Sequence, residues 1–214
     1  MDSLLNHEAE RWLQLGLAFF WTVTYLLIIL QGFRDRTCGM PLLALCANIT
    51  WEFLYGFVIP FDPFQKIGTI VWFALDCVIF LQFLLYATRK TTKKKLLYLS
   101  VAGLLVMALL LHYGMHVEFH DKEGKYSAFG INLMMSLLFI LMWLKQPGKG
   151  QSLAIAYAKM IGTLCASILG YAMYPESLLL TTLYILTFLL DLLYVIVVTK
   201  PSPLTPPITH RQRS

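Results

Sequence analysis

The feature that most limits what this chain can become is a series of seven long apolar runs, at 13–30, 41–60, 67–88, 96–113, 127–144, 153–173 and 178–199. A run of about 18 or more apolar residues with few charges can cross the hydrocarbon of a bilayer as a helix. Composition agrees: 58% of the 214 residues are hydrophobic and 14% are charged, against roughly 25% charged in an average soluble domain. A membrane strand would alternate polar and apolar over about ten residues, and the runs do not. The connections are short, which predicts antiparallel neighbours. The expected fold is an all-α membrane protein, a seven-helix transmembrane bundle over residues 1–200. A proline-rich polar tail at 201–214 has the composition of a disordered cytoplasmic segment. The first run has no basic segment before it and no small-residue cleavage site after it, so it reads as a membrane helix and not as a removable signal peptide.

Charge sets the expected orientation. With the N-terminus outside, 12 Lys and Arg fall on the inner side, among them Arg34, Arg36, Lys93, Lys94, Lys95, Lys145, Lys149 and Lys200. Arg11, Lys66, Lys122 and Lys125 make 4 on the outer side. The positive-inside rule then puts the N-terminus outside and the C-terminus in the cytoplasm. The basic cluster at 89–95 reads as an orientation and lipid-surface feature, not as a nucleic-acid site. Cys46, Cys77 and Cys165 lie within runs and Cys38 in an inner loop, so no disulfide framework is expected.

Four formal charges interrupt the runs: Glu52, Asp76, Lys159 and Asp191. Each costs on the order of 2.5–3.5 kcal/mol near a helix centre, and such residues normally face the bundle interior. At 1.5 Å per residue, Glu52, Asp76 and Asp191 lie roughly 12, 14 and 20 Å from the outer ends of their helices, within the middle third of a core about 30 Å thick. Residues three or four apart share a helical face. Asn48, Glu52 and Tyr55 form one such face, Trp72 and Asp76 another, Asn132 and Ser136 a third, Lys159 and Thr163 a fourth, and Thr187, Asp191 and Tyr194 a fifth. These five stripes predict one shared central cavity, with Trp51, Phe53, Phe57 and Phe73 as aromatic walls. Plainer roles stand beside this: Asn132 and Ser136 as helix–helix glue, Asp76 and Lys159 as a structural ion pair, and Trp12, Trp143 and Tyr174 as interface anchors. His112, His116 and His120 are spaced by four, as metal ligands on a helix could be. A helix is not expected to last to His120, and no metal is assigned.

A carboxyl in an apolar surround can retain its proton and act as a general acid, while a second in a more polar setting stays ionised. Aromatic faces stabilise cations, and exclusion of water prevents their premature quenching. The set suits acid-initiated cyclisation of a lipophilic polyene. Midplane carboxyls also suit a proton-coupled transporter, although no internal repeat of the transporter kind is visible. A retinal-type photoreceptor would need a lysine deep in the last run, which has none before Lys200.

The segment with Asn48, Trp51, Glu52 and Tyr55 resembles the signature of the membrane-integral terpene cyclases of fungal meroterpenoid and indole-diterpene biosynthesis and their bacterial relatives. Trp72 with Asp76, Asn132 with Ser136, Lys159 with Thr163, Asp191 with Tyr194, and Gly39 to Pro41 follow in similar order and spacing, so the resemblance runs from about Trp21 to Tyr194. It implies a seven-helix, metal-independent cyclase with no cofactor, which protonates an epoxide or alkene of a prenylated substrate. It implies Glu52 and Asp191 as the essential acids; beside them Asn48, Tyr55, Asp76, Asn132, Ser136, Lys159 and Tyr194 are expected to bind or orient the acid and the substrate, and Trp51 and Trp72 to stabilise cationic intermediates. The membrane would be that of the endoplasmic reticulum in a fungus or the cell membrane in a bacterium. The expected partners are a lipophilic prenylated small molecule and membrane lipid, with no nucleic acid and no obligate protein partner.

Overall fold

The structure, a computed structural model, describes residues 3–86, 89 and 91–200. The tail at 201–214 lies outside the described residues. Among the described residues seven helices follow one another: α1 (His7–Asp35), α2 (Leu42–Phe53, continued by a π-helical turn, Leu54–Val58), α3 (Pro63–Tyr86), α4 (Lys94–Glu118), α5 (Lys125–Lys145), α6 (Leu153–Met173) and α7 (Leu178–Thr199). Among the described residues there is no strand.

The boundaries have local causes. Ser152 and Ser177 cap α6 and α7 by accepting from the backbone N–H of Ile155 and Leu180, which satisfies donors that a helix start leaves orphaned. α1 begins earlier than its apolar run because Asn6 caps it, accepting from Ala9 N at 2.8 Å. α4 runs on to Glu118, and His120 lies beyond it with φ 49°. α2 differs most from expectation. Together with its π turn it spans Leu42–Val58, short of the length of the other six, which are long and apolar enough to cross a membrane. The π turn is closed by Ile59 N donating to Leu54 O, five residues back, at 2.9 Å.

Consecutive helices alternate in direction. Leu4 N donates to Ala172 O at one end of the α1–α6 pair, and Gly150 N to Asp35 Oδ2 at the other. α1 packs chiefly on α6 and also on α3, α5 on α7, and α2 between α3 and α4. The α1–α6 approach is close. A Cβ on Gly162 would sit 3.0 Å from Trp21 Cδ1, so any larger residue would make Trp21 give way by a few tenths of an ångström. Outside, Leu30, Leu99, Leu110 and Leu178 belong to a broad exposed apolar belt, the surface that a lipid solvent requires.

Candidate active site

Glu52 on α2 and Asp76 on α3 are 1% and 0% exposed. The Tyr25 hydroxyl on α1 donates to Glu52 Oε1 at 2.5 Å. Asn48, one turn before Glu52, aims its amide Nδ2 at Glu52 Oε1 (2.9 Å), at Asp76 Oδ2 (3.0 Å) and at the Tyr25 hydroxyl. Asn48 Nδ2 thus joins the two carboxyls. Glu52 Oε2 and Asp76 Oδ1 meet no N–H or O–H donor. All these partners are neutral, and two uncompensated carboxylates would be prohibitively expensive to bury.

A second centre joins α5, α6 and α7. Lys159 Nζ spends its three hydrogens on Asp191 Oδ1 (2.6 Å), Ser136 Oγ (2.7 Å) and Asn132 Oδ1 (3.0 Å). Ser136 Oγ lies 2.7 Å from Asp191 Oδ1, and Asn132 Nδ2 donates to Thr163 Oγ1 at 3.1 Å. Asp191 Oδ2 has no partner, nor has Thr187 Oγ1 one turn earlier. This centre is an ion pair inside a fully satisfied ammonium shell, the condition under which buried charge is tolerated.

Trp21 stands between the two centres. Its ring centroid is 5.7 Å from Lys159 Nζ and 6.1 Å from the ring of Tyr25. The polar side chains gather in two hydrogen-bonded centres, with Trp21 in contact with Lys159 of one and Tyr25 of the other. Lys159 pairs with Asp191 and not with Asp76.

Other expected site residues stand apart. Trp51 and Tyr55 stack on each other, with centroids 4.8 Å apart, and face the loop between α4 and α5. There Trp51 Nε1 donates to Ser127 Oγ (3.0 Å) and the Tyr55 hydroxyl to Asp121 O (3.4 Å). Trp51 and Tyr55 are four residues apart, the spacing at which side chains of one helix meet. Gly124, at φ 70°, fits under this pair because a Cβ would lie 2.5 Å from the Tyr55 ring. Trp72 Nε1 donates to Thr22 Oγ1 at 3.1 Å, and Tyr194 donates to Gln151 Oε1 at 3.1 Å near the opposite end. Phe53, Phe57 and Phe73 pack on one another, but Phe53 and Phe57 are exposed and wall no interior. His112 Nε2 and His116 Nδ1 each bond a backbone carbonyl, Ala47 O and Asp121 O, at 2.9 Å.

Two groups outside the membrane-spanning segments show how burial acts at the ends. Burial pushes the Cys38 thiol up to about 12. Burial, and then the hydrogen bond to Glu123, hold the Tyr174 phenol above its ordinary range. A cleft of about 570 Å³ lined by Glu10, Tyr126, Tyr174 and Glu176 opens at this end. It is remote from both polar centres, so its size does not make it the site.

Tyr25 and Trp21 are the residues that sequence reasoning missed. The first run holds no charge to draw attention, yet their spacing of four puts both on one face.

A multi-pass bundle with three carboxyls and a lysine sealed in its interior is an integral membrane protein equipped for acid–base chemistry away from water. Residues 6–201 match the family of Pyr4-like transmembrane terpene cyclases, and the chain belongs to that family, an enzyme of the terpene cyclase type. It is 31% identical over 209 residues to the Pyr4-family terpene cyclase mfmH of Annulohypoxylon moriforme, covering 89% of this chain and 80% of the relative. The terpene cyclase macJ of Penicillium terrestre is 29% identical over 69% of this chain and 60% of its own length. The terpene cyclase andB of Emericella variicolor is 27% identical over 68% and 64%. The matched region thus spans less than two thirds of these last two relatives. No solved structure matches. The transporter and photoreceptor readings give way to the family.

Proposed function

We propose that the enzyme cyclises a prenylated lipophilic substrate by proton transfer from the Glu52–Asp76 pair to a terminal epoxide or an alkene. With an epoxide, the proton goes to oxygen, a C–O bond breaks, and the carbon left cationic is attacked by the next double bond. With an alkene, the proton goes to carbon. After ring closure a C–H proton leaves, and Asp191 Oδ2, on a carboxylate held by Lys159, takes it. The net change is isomerisation, and the enzyme recovers when the proton returns to the Glu52–Asp76 pair. Carboxyls supply the acid, so the reading requires no metal and no cofactor. The observation that carries it is the pairing of Glu52 with Asp76 in the absence of a cation, beside a second centre that does contain one. Asn48 orients the acid; Asn132 and Ser136 orient the Lys159–Asp191 pair. Trp51, Tyr55, Trp72 and Tyr194 act at one remove, by holding the helices that present the acids.

In this reading all seven helices of residues 1–200 cross the membrane, with the N-terminus outside and the tail at 201–214 cytoplasmic. The excess of Lys and Arg at the end of the bundle that carries Asp35 and Lys145 supports it. The membrane would be the endoplasmic reticulum in a fungus, and the partners are the substrate and lipid. Product analysis tests the chemistry. Membranes carrying wild type or Asp191→Asn are incubated, with EDTA, with prenylated aromatic epoxides and prenyl alcohols. An isomeric cyclised product from wild type alone is expected. Activity abolished by EDTA would sink the metal-free mechanism, and undiminished cyclisation by Asp191→Asn would remove Asp191 from it.

A further inference from the structure

We infer that Tyr25 is a positioning residue for the acid: its hydroxyl occupies Glu52 Oε1 and thereby leaves the acid proton on Glu52 Oε2. The inference deepens the proposed reading and rests on Glu52 being the proton donor.

The argument is a count of hydrogens. Tyr25 is 3% exposed, so its phenol cannot turn to bulk water. The phenol oxygen already receives an N–H from Asn48. Its own hydrogen has Glu52 Oε1 at 2.5 Å as acceptor. The Asn48 amide has two hydrogens for three oxygens, the Tyr25 hydroxyl, Glu52 Oε1 and Asp76 Oδ2. Suppose the carboxyl proton sat on Oε1. Two O–H groups would then compete for the one 2.5 Å line between Oε1 and a phenol oxygen that Asn48 already reaches. A proton on Oε2 removes the conflict. That oxygen has no hydrogen-bond partner among the described residues, so the acceptor left for its hydrogen is the substrate. Tyr25 is held in place for this. Trp21 packs one turn before it, and Gly162 admits Trp21 against α6.

The consequence can be read by infrared spectroscopy on the full chain in phospholipid bilayers, with no substrate present. Glu52→Gln should remove one protonated-carboxyl C=O band. Tyr25→Phe should move that same band to higher wavenumber, because Oε1 is the carbonyl oxygen and loses its donor. With a farnesylated phenol epoxide as probe, kcat should fall by about 10- to 100-fold while KM stays within about twofold. Difluorotyrosine incorporated at position 25 keeps both ring and donor, and should return band and kcat toward wild type. A merely structural role would move none of these in that pattern. A band lost in Glu52→Gln but unmoved in Tyr25→Phe overturns the inference and leaves Glu52 as the acid. No band lost in Glu52→Gln overturns the acid assignment itself.

Discussion

The two polar centres are equally buried and solve the problem of buried charge in opposite ways. Around Glu52 and Asp76 every partner is neutral, and burial without a cation favours a carboxyl that keeps its proton. Around Asp191 a lysine supplies the compensating charge, and Asn132 and Ser136 complete its shell. The first arrangement stores something it can give away. The second stores a charge separation that collapses if either partner is removed. Depth in the membrane, which treats the carboxyls alike, does not reveal this; the nature of the nearest donor does.

Mutations can press on that contrast. Glu52→Gln keeps the shape and the acceptor but removes the proton. Turnover should fall by about 10²- to 10⁴-fold with the fold retained by circular dichroism, and near-normal cyclisation would erase the distinction. Lys159→Met should act on folding first, by about 3–5 kcal/mol, since it strands Asp191. Denaturant titration in mixed micelles measures this, and adding Asp191→Leu should restore most of the stability without restoring turnover. If the double variant is no more stable than the single, Lys159 is not compensating Asp191. Gly162→Ala should cost about 1–3 kcal/mol by overpacking Trp21 and alter the product ratio, because Trp21 touches a residue of each centre. An unchanged product profile would show the two centres to be insensitive to their spacing. Tyr174→Phe, far from both, should lose about 1 kcal/mol with its bond to Glu123 and leave the products alone; a changed product would extend the site to that end.

Much of this was legible beforehand. The last two helices, Leu153–Met173 and Leu178–Thr199, follow their apolar runs because a serine stands at each start. Glu52, Asp76, Lys159 and Asp191 all prove buried, since charge in an apolar run has nowhere else to go. What could not be read was the partner of each face. Spacing of three or four tells which residues share a side of one helix, but not which helix that side meets. Asp76 and Lys159 were therefore as plausible a pair as Lys159 and Asp191. Tyr55 stands apart from the acids for another reason: it is three residues from Glu52 but four from Trp51, and it packs on the Trp51 ring. Tyr25 went unnoticed because a tyrosine in a membrane run is usually ascribed to the interface.

The leucine-rich belt has a kinetic meaning as well. An enzyme whose outer surface dissolves in acyl chains, working on a lipophilic substrate of the kind proposed, meets it in two dimensions. Collision frequency then depends on molecules per unit area of bilayer, not on millimolar in the tube. Adding inert phospholipid vesicles that fuse with the preparation should slow turnover as a competitive inhibitor would, with nothing bound to the protein. For this chain a Michaelis constant acquires meaning only as a mole fraction of the membrane.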